Sequence, residues 1–116
     1  MEVIAEKLAG RNYSVRIEKH RVVEDTEYIR LIILLNKELE IHVREFIIAG
    51  TILRYSYQLL MNKKAILRYD NVPHHPEIRT HPHHKHKGNE VYSLHDHSLE
   101  TFFDEALSYI EHSLRC

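Results

Sequence analysis

Apolar and polar positions alternate, or apolar positions occupy both faces, over most of the chain from Tyr13 to Asp70. YSVRIEKHRVV alternates for most of its length. EYIRLIILL is apolar on both faces over its second half, the pattern of a central strand. LEIHVREFI points Leu39, Ile41 and Val43 one way and Glu40, His42 and Arg44 the other. ILRYSYQLLM and KAILRYD follow. Asn36-Lys37, Ala49-Gly50 and Asn62-Lys63 are turn signals between the last four strands. Such short connections require antiparallel neighbours, because a parallel crossover is much longer. Five strands in an antiparallel meander are predicted.

Two helices flank that meander. Residues 1–8 predict a short one, with Val3, Ile4 and Leu8 on one side and Gly10 as its stop. At the other end Ser98 is a predicted N-cap with Glu100 in the first turn. Leu99, Phe102, Phe103, Ala106, Leu107, Ile110 and Leu114 then recur at helical spacing, a stripe suited to covering one sheet face. The expected fold is α+β: a five-stranded antiparallel β-meander, a C-terminal helix packed on one face and a short N-terminal helix. Residues 1–116 read as a single domain. Between about 71 and 92 regularity stops, and a connection that long is commonly functional or disordered.

Composition narrows the classes. A net charge of -1 excludes a globally basic nucleic-acid binder, so charge placement matters more than its sum. The single cysteine, Cys116, excludes an internal disulfide framework. LIILL at 31–35 is the longest apolar run, far short of the roughly 20 residues that span a bilayer. The first fifteen residues lack the apolar run of a secretion signal. A cytoplasmic protein without membrane contact is expected.

The irregular segment carries the chemistry. Residues 73–86 hold six of the eleven histidines and all three prolines. Asp70 and Asn71 can hold a turn where it leaves the last strand. Metal binding is one reading, with imidazoles at 81, 83, 84 and 86 and with His95 and His97 nearby. No cysteine supports it, Lys85 and Lys87 oppose a dication, and the spacing matches no zinc motif. Metal-free RNA cleavage is another. A ribose 2′-hydroxyl attacks the adjacent phosphate when one group removes its proton and another protonates the leaving 5′-oxygen. Histidine suits both tasks near neutral pH. Arg68, Arg79, Lys85 and Lys87 could stabilise the charge building on phosphorus. Tyr55, Tyr57 and Tyr69 are packing residues on a sheet or, near its edge, platforms for bases.

The ordered string Y-S-Y at 55–57, R-Y-D-N at 68–71, P-H-H-P-E at 73–77 and T-x-P-H-H-K-H at 80–86 resembles the TumE family of type II toxin–antitoxin modules. The resemblance covers roughly residues 13–112 and departs at His81, where an apolar residue is expected. It implies a ribonuclease-type toxin neutralised by a cognate helix-turn-helix antitoxin, with operator DNA contacted only through that antitoxin. The motif falls on Tyr55, Tyr57, Arg68, Tyr69, Asp70, Asn71, His74, His75, His83, His84 and His86. His83, His84 and His86 are then the expected acid and base, with Arg68 and Lys85 on the phosphate. His74 and His75, counted with the catalytic set, would orient the loop or bind substrate. Tyr55, Tyr57, Tyr69, Asp70, Asn71, Arg79, Lys85 and Lys87 would bind RNA, and no cofactor or metal is called for. An exposed edge of the meander could pair with a second copy in a homodimer or with an antitoxin strand. The competing reading is a non-enzymatic histidine-rich module that binds metal or protein.

Overall fold

A computed structural model describes residues 13–73, 79 and 81–114, with side chains as far as residue 112. Among the described residues seven strands follow one another: β1 (Ser14–Val23), β2 (Thr26–Leu34), β3 (Leu39–Ile48), β4 (Thr51–Met61), β5 (Lys64–Asp70), β6 (His84–Lys87) and β7 (Glu90–Ser93). Helix α1 spans Leu99–Leu114. The strands form one sheet in sequence order, each antiparallel to the next. The fold is α+β as expected, but with seven strands rather than five. The N-terminal helix expected over residues 1–8 lies outside the described residues, as do His74 and His75.

Local chemistry explains the turns. Ala49 and Gly50 both have positive φ, and so do Asn62 and Lys63, as a two-residue type I′ hairpin requires. Asn36 Oδ1 accepts the backbone N–H groups of Glu38 and Leu39, each at 2.8 Å, and so closes the β2–β3 turn. The two additional strands come from the expected loop. His84–Lys87 and Glu90–Ser93 form a hairpin around Gly88, whose φ of 62° falls in the left-handed region. Its edge joins β5 with Asp70 opposite His84 and Arg68 opposite His86.

One sheet face is covered by α1. Leu31, Ile33, Ile41, Val43, Leu59 and Leu67 pack there against Phe102, Phe103 and Ala106. Each fully buried large side chain of this kind contributes roughly 1.5–3 kcal/mol. Ser98 caps α1 as its sequence suggests: its Oγ accepts the Thr101 N–H at 3.1 Å. Asp96 braces the cap by accepting the Ser98 N–H at 3.1 Å and the Thr101 hydroxyl at 2.7 Å. Such a cap contributes about 1 kcal/mol. The opposite face has no helix over it among the described residues.

Candidate active site on the open face of the sheet

Directly paired residues on neighbouring strands share a face, so the register defines what the open face presents. Arg30, Arg44, Ser56, Asp70 and His84 form one row across β2–β6. His42, Gln58, Arg68 and His86 form the next. Tyr28, Phe46 and Arg54 form a third across β2–β4. Between these rows lies a groove of about 350 Å³, lined by Arg44, Arg54, Arg68, Tyr28, Phe46 and Gln58 among others. A recess of about 430 Å³ beside the β2–β3 turn is larger. It contains the Glu40–Lys63 pair, whereas the groove carries Arg44, Arg54 and Arg68 and ends where Arg68 meets Asp70 and pairs with His86.

At one end of the groove is a buried polar cluster. Asp70 is 1% exposed and His84 2%. His84 Nε2 lies 2.9 Å from Asp70 Oδ1, and Arg68 Nε lies 2.5 Å from Asp70 Oδ2 as an ion pair. Asp70 Oδ1 also accepts the Val72 N–H at 3.1 Å, the turn expected where the chain leaves β5. His84 Nδ1 is 2.9 Å from the Pro82 carbonyl oxygen, which can only accept, so Nδ1 carries a proton. His86 is half-buried and meets His84 edge-on, with ring centroids 4.8 Å apart. One ligand-capable atom each from Asp70, His84 and His86 lies within 4.8 Å of the others.

His83 does not join this cluster. Alternation turns it to the helix side, where its Nδ1 lies 2.9 Å from the Tyr55 hydroxyl. There it stacks on His97 with centroids 3.9 Å apart and planes 3° from parallel. Burial, and then the neighbouring His97 and His84, pushes its pKa below the ordinary imidazole value. The expected trio is therefore divided, two members on the open face and one behind it.

The expected substrate-binding residues divide in the same way. Tyr57 and Tyr69 are each 1% exposed on the helix face. Tyr57 donates to Glu45 at 2.5 Å, while Tyr69 donates to Glu105 of α1. Tyr55 is buried beside them. Burial, reinforced by nearby carboxylates, pushes all three phenols up, so each keeps its proton. Their rings pack the core and offer no stacking surface to solvent. Lys85 pairs with Glu105 at 3.3 Å, and Lys87 lies 5.8 Å from the Tyr109 ring centre, both on the helix side. Asn71 extends the sheet: its Oδ1 accepts the Tyr55 N–H at 3.1 Å and its Nδ2 donates to Leu53 O at 2.8 Å. Arg79 is exposed on the connection before β6. Among the described residues of the expected set, Arg68, Asp70, His84 and His86 converge, and Asn71 and Tyr55 contribute to the groove lining beside Arg68. Arg30, Arg44, Arg54, Tyr28 and Phe46 were not expected there, although alternation in IHVREF already sets Arg44 away from the core.

A family model for Toxin TumE matches residues 6–114. The chain belongs to the TumE toxin family. No curated protein and no solved structure matches it. Membership makes a toxin role the coarse function and an antitoxin the corresponding partner. The convergent residues Arg68, Asp70, His84 and His86 all fall in the segment whose motifs resemble TumE. No helix among the described residues is long and apolar enough to cross a membrane.

Proposed function

We propose that the whole chain is one toxin domain that cleaves RNA in the cytoplasm without a metal, and that a helix-turn-helix antitoxin neutralises it and provides any contact with operator DNA. The observation that carries this reading is the convergence of Arg68, Asp70, His84 and His86 at the end of an arginine-lined groove. Single-stranded RNA would lie along the open face, its phosphates on Arg44 and Arg54 and its bases against Tyr28 and Phe46.

His86 removes the 2′-hydroxyl proton and the 2′-oxygen attacks phosphorus. The bond to the 5′-oxygen breaks as that oxygen takes a proton from imidazolium His84, which RNA binding must first draw away from Asp70 and into the groove. The products are a 2′,3′-cyclic phosphate and a 5′-hydroxyl. Proton return from His86 to His84, across their edge-on contact, restores the starting state. Arg68 balances the negative charge that develops on phosphorus. Each positioned proton-transfer group contributes about 10²–10⁴ in rate.

A second reading has a specific observation behind it. Asp70, His84 and His86 form a two-histidine, one-carboxylate set, and a carbonyl bond at Nδ1 is how metal-binding histidines are commonly oriented. The Arg68–Asp70 pair ranks it second, because the guanidinium already supplies the positive charge a cation would bring.

The test is incubation of the purified chain, freed of antitoxin, with total RNA in excess EDTA. His86→Ala and Arg68→Ala should each slow cleavage by about 10² or more while remaining folded by circular dichroism. His83→Ala, on the other face, should cost far less. Cleavage that EDTA abolishes and zinc restores would favour the second reading. Intact RNA under both conditions would remove both.

A further inference from the structure

Among the described residues, strand β1 is the longer of the sheet's two edges, its partner β2 lying on one side only. Its side chains separate by chemistry. Paired with Ile33, Leu31 and Glu27, the residues Val15, Ile17 and Val22 lie on the helix side of the sheet. Ile17 and Val22 are 64% and 61% exposed there. On the open side lie Arg16, Lys19 and Arg21, paired with Ile32, Arg30 and Tyr28. Arg16 is partly neutralised by Glu18 at 3.0 Å, while Lys19 lies over the Tyr28 ring. An edge defended against pairing carries charge, a bulge or a cover. β1 has a bulge at Glu18, but beyond it Lys19–Val23 runs regularly, with Lys19, Arg21 and the exposed Val23 on the open side and Val22 on the other beside His20, which is paired with Glu27 at 2.7 Å.

We propose that β1 is the docking edge for an extended segment of a partner protein in which acidic and apolar side chains alternate. Its backbone adds an eighth strand. Its apolar side chains cover Ile17 and Val22, and its carboxylates meet Lys19 and Arg21. Charge selects this occupant over a second copy of the chain. Two β1 strands paired antiparallel would bring the cations of both copies onto one face, where opposed like charges destabilise a strand pair. Strand addition of this kind draws affinity from main-chain hydrogen bonds and specificity from alternate side chains. The proposal deepens the toxin reading, since a toxin needs a neutralising partner, but it does not depend on RNA cleavage. A docked segment would also place carboxylates beside Arg30 and make the open face less attractive to phosphate.

The experiment uses the full chain and two synthetic, end-blocked decapeptides, one alternating Val with Glu and the other Val with Lys, followed by fluorescence anisotropy. The Glu peptide should bind at least about tenfold more tightly than the Lys peptide. Lys19→Glu/Arg21→Glu should reverse that order, and amide exchange should slow across Lys19–Val23 in the complex. Equal binding of both peptides, an unchanged order in the variant, or protection of Glu90–Ser93 instead would each overturn the proposal. So would absence of binding at millimolar peptide. Sedimentation of the free chain supplies a further check: self-association abolished by Val22→Asp would assign the edge to a second copy. No RNA is present in any arm, so failure here leaves the nuclease reading untouched, and failure of cleavage leaves this one untouched.

Discussion

Replacing Asp70 with alanine removes one partner from a pair that is almost wholly shut off from water. Asp70 and His84 are 1% and 2% exposed, and Asp70 also forms an ion pair with Arg68 at 2.5 Å and accepts the Val72 N–H at 3.1 Å. Two unit charges about 4 Å apart attract by roughly 4 kcal/mol at an effective dielectric near 20. Dehydrating the ions costs several kcal/mol each, so the intact pair adds little net stability. Truncating one member is different, because the other remains buried without a counterion. Asp70→Ala should therefore lower the unfolding free energy by about 3–5 kcal/mol, a large share of the roughly 5–15 kcal/mol typical of a domain. The assay is urea unfolding followed by circular dichroism, with a lower midpoint at unchanged slope. Asp70→Leu/His84→Leu removes both charges and fills the space, and it should recover most of the loss. A cost below about 1 kcal/mol for Asp70→Ala, or a double variant as unstable as the single one, would refute the reasoning that the pair is buried and mutually dependent.

Three further outcomes are expected. Tyr69→Phe removes a donor from Glu105 and should cost about 1.5–3 kcal/mol in the same assay, since the lost bond is to a charged group; a neutral result would mean that Lys85 alone satisfies that carboxylate. With its pKa depressed in the folded chain, His83 binds fewer protons folded than unfolded as pH falls through about 6.5. Stability should accordingly decrease on acidification through that value and level off below the folded one, and His83→Phe should flatten that part of the difference profile. Arg54→Ala should reduce the slope of log affinity against log salt by about 0.7 for single-stranded RNA; an unchanged slope would take Arg54 off the phosphate path.

The five-strand core was legible because its side chains obey the simplest rule available. Leu39, Ile41 and Val43 alternate with charge, and two of the three marked turns carry positive φ at both positions. Helix α1 was legible for the same reason, down to its Ser98 cap. The β6–β7 hairpin was not, because H-K-H-K has no apolar side to alternate. Its strands are recruited by pairing with β5 rather than by burying a hydrophobic face of their own. Gly88-Asn89 was the one local signal present. That omission hid the site. With 84–87 taken as irregular, Asp70 has no specified neighbour, whereas a strand there puts it opposite His84 and Arg68 opposite His86. The tyrosines illustrate the converse. Tyr57 and Tyr69 fit the core pattern equally well as packing or binding residues, and only Glu45 and Glu105, remote in sequence, decide for packing.

The order of the strands has a consequence in time. β1 to β5 are joined by tight turns, so each new pairing closes only a short loop of chain. The pairing of β5 with β6 is different, for it must first close residues 71–83. Closure entropy grows with loop length, and contacts across longer loops form later unless something else rewards them. The histidines of β6 therefore reach Asp70 and Arg68 after β1–β5 are paired, and a chain emerging from the ribosome would carry those five strands before it carried the Asp70–His84 cluster. Pulse-labelling hydrogen exchange during refolding should accordingly protect the amides of β2–β4 before those of β6. Simultaneous protection would show that the hairpin is part of the folding nucleus instead. On the nuclease reading proposed above, a toxin arranged this way would be inert until its final third has been made, which would give a partner already present in the cell an interval in which to meet the nascent sheet.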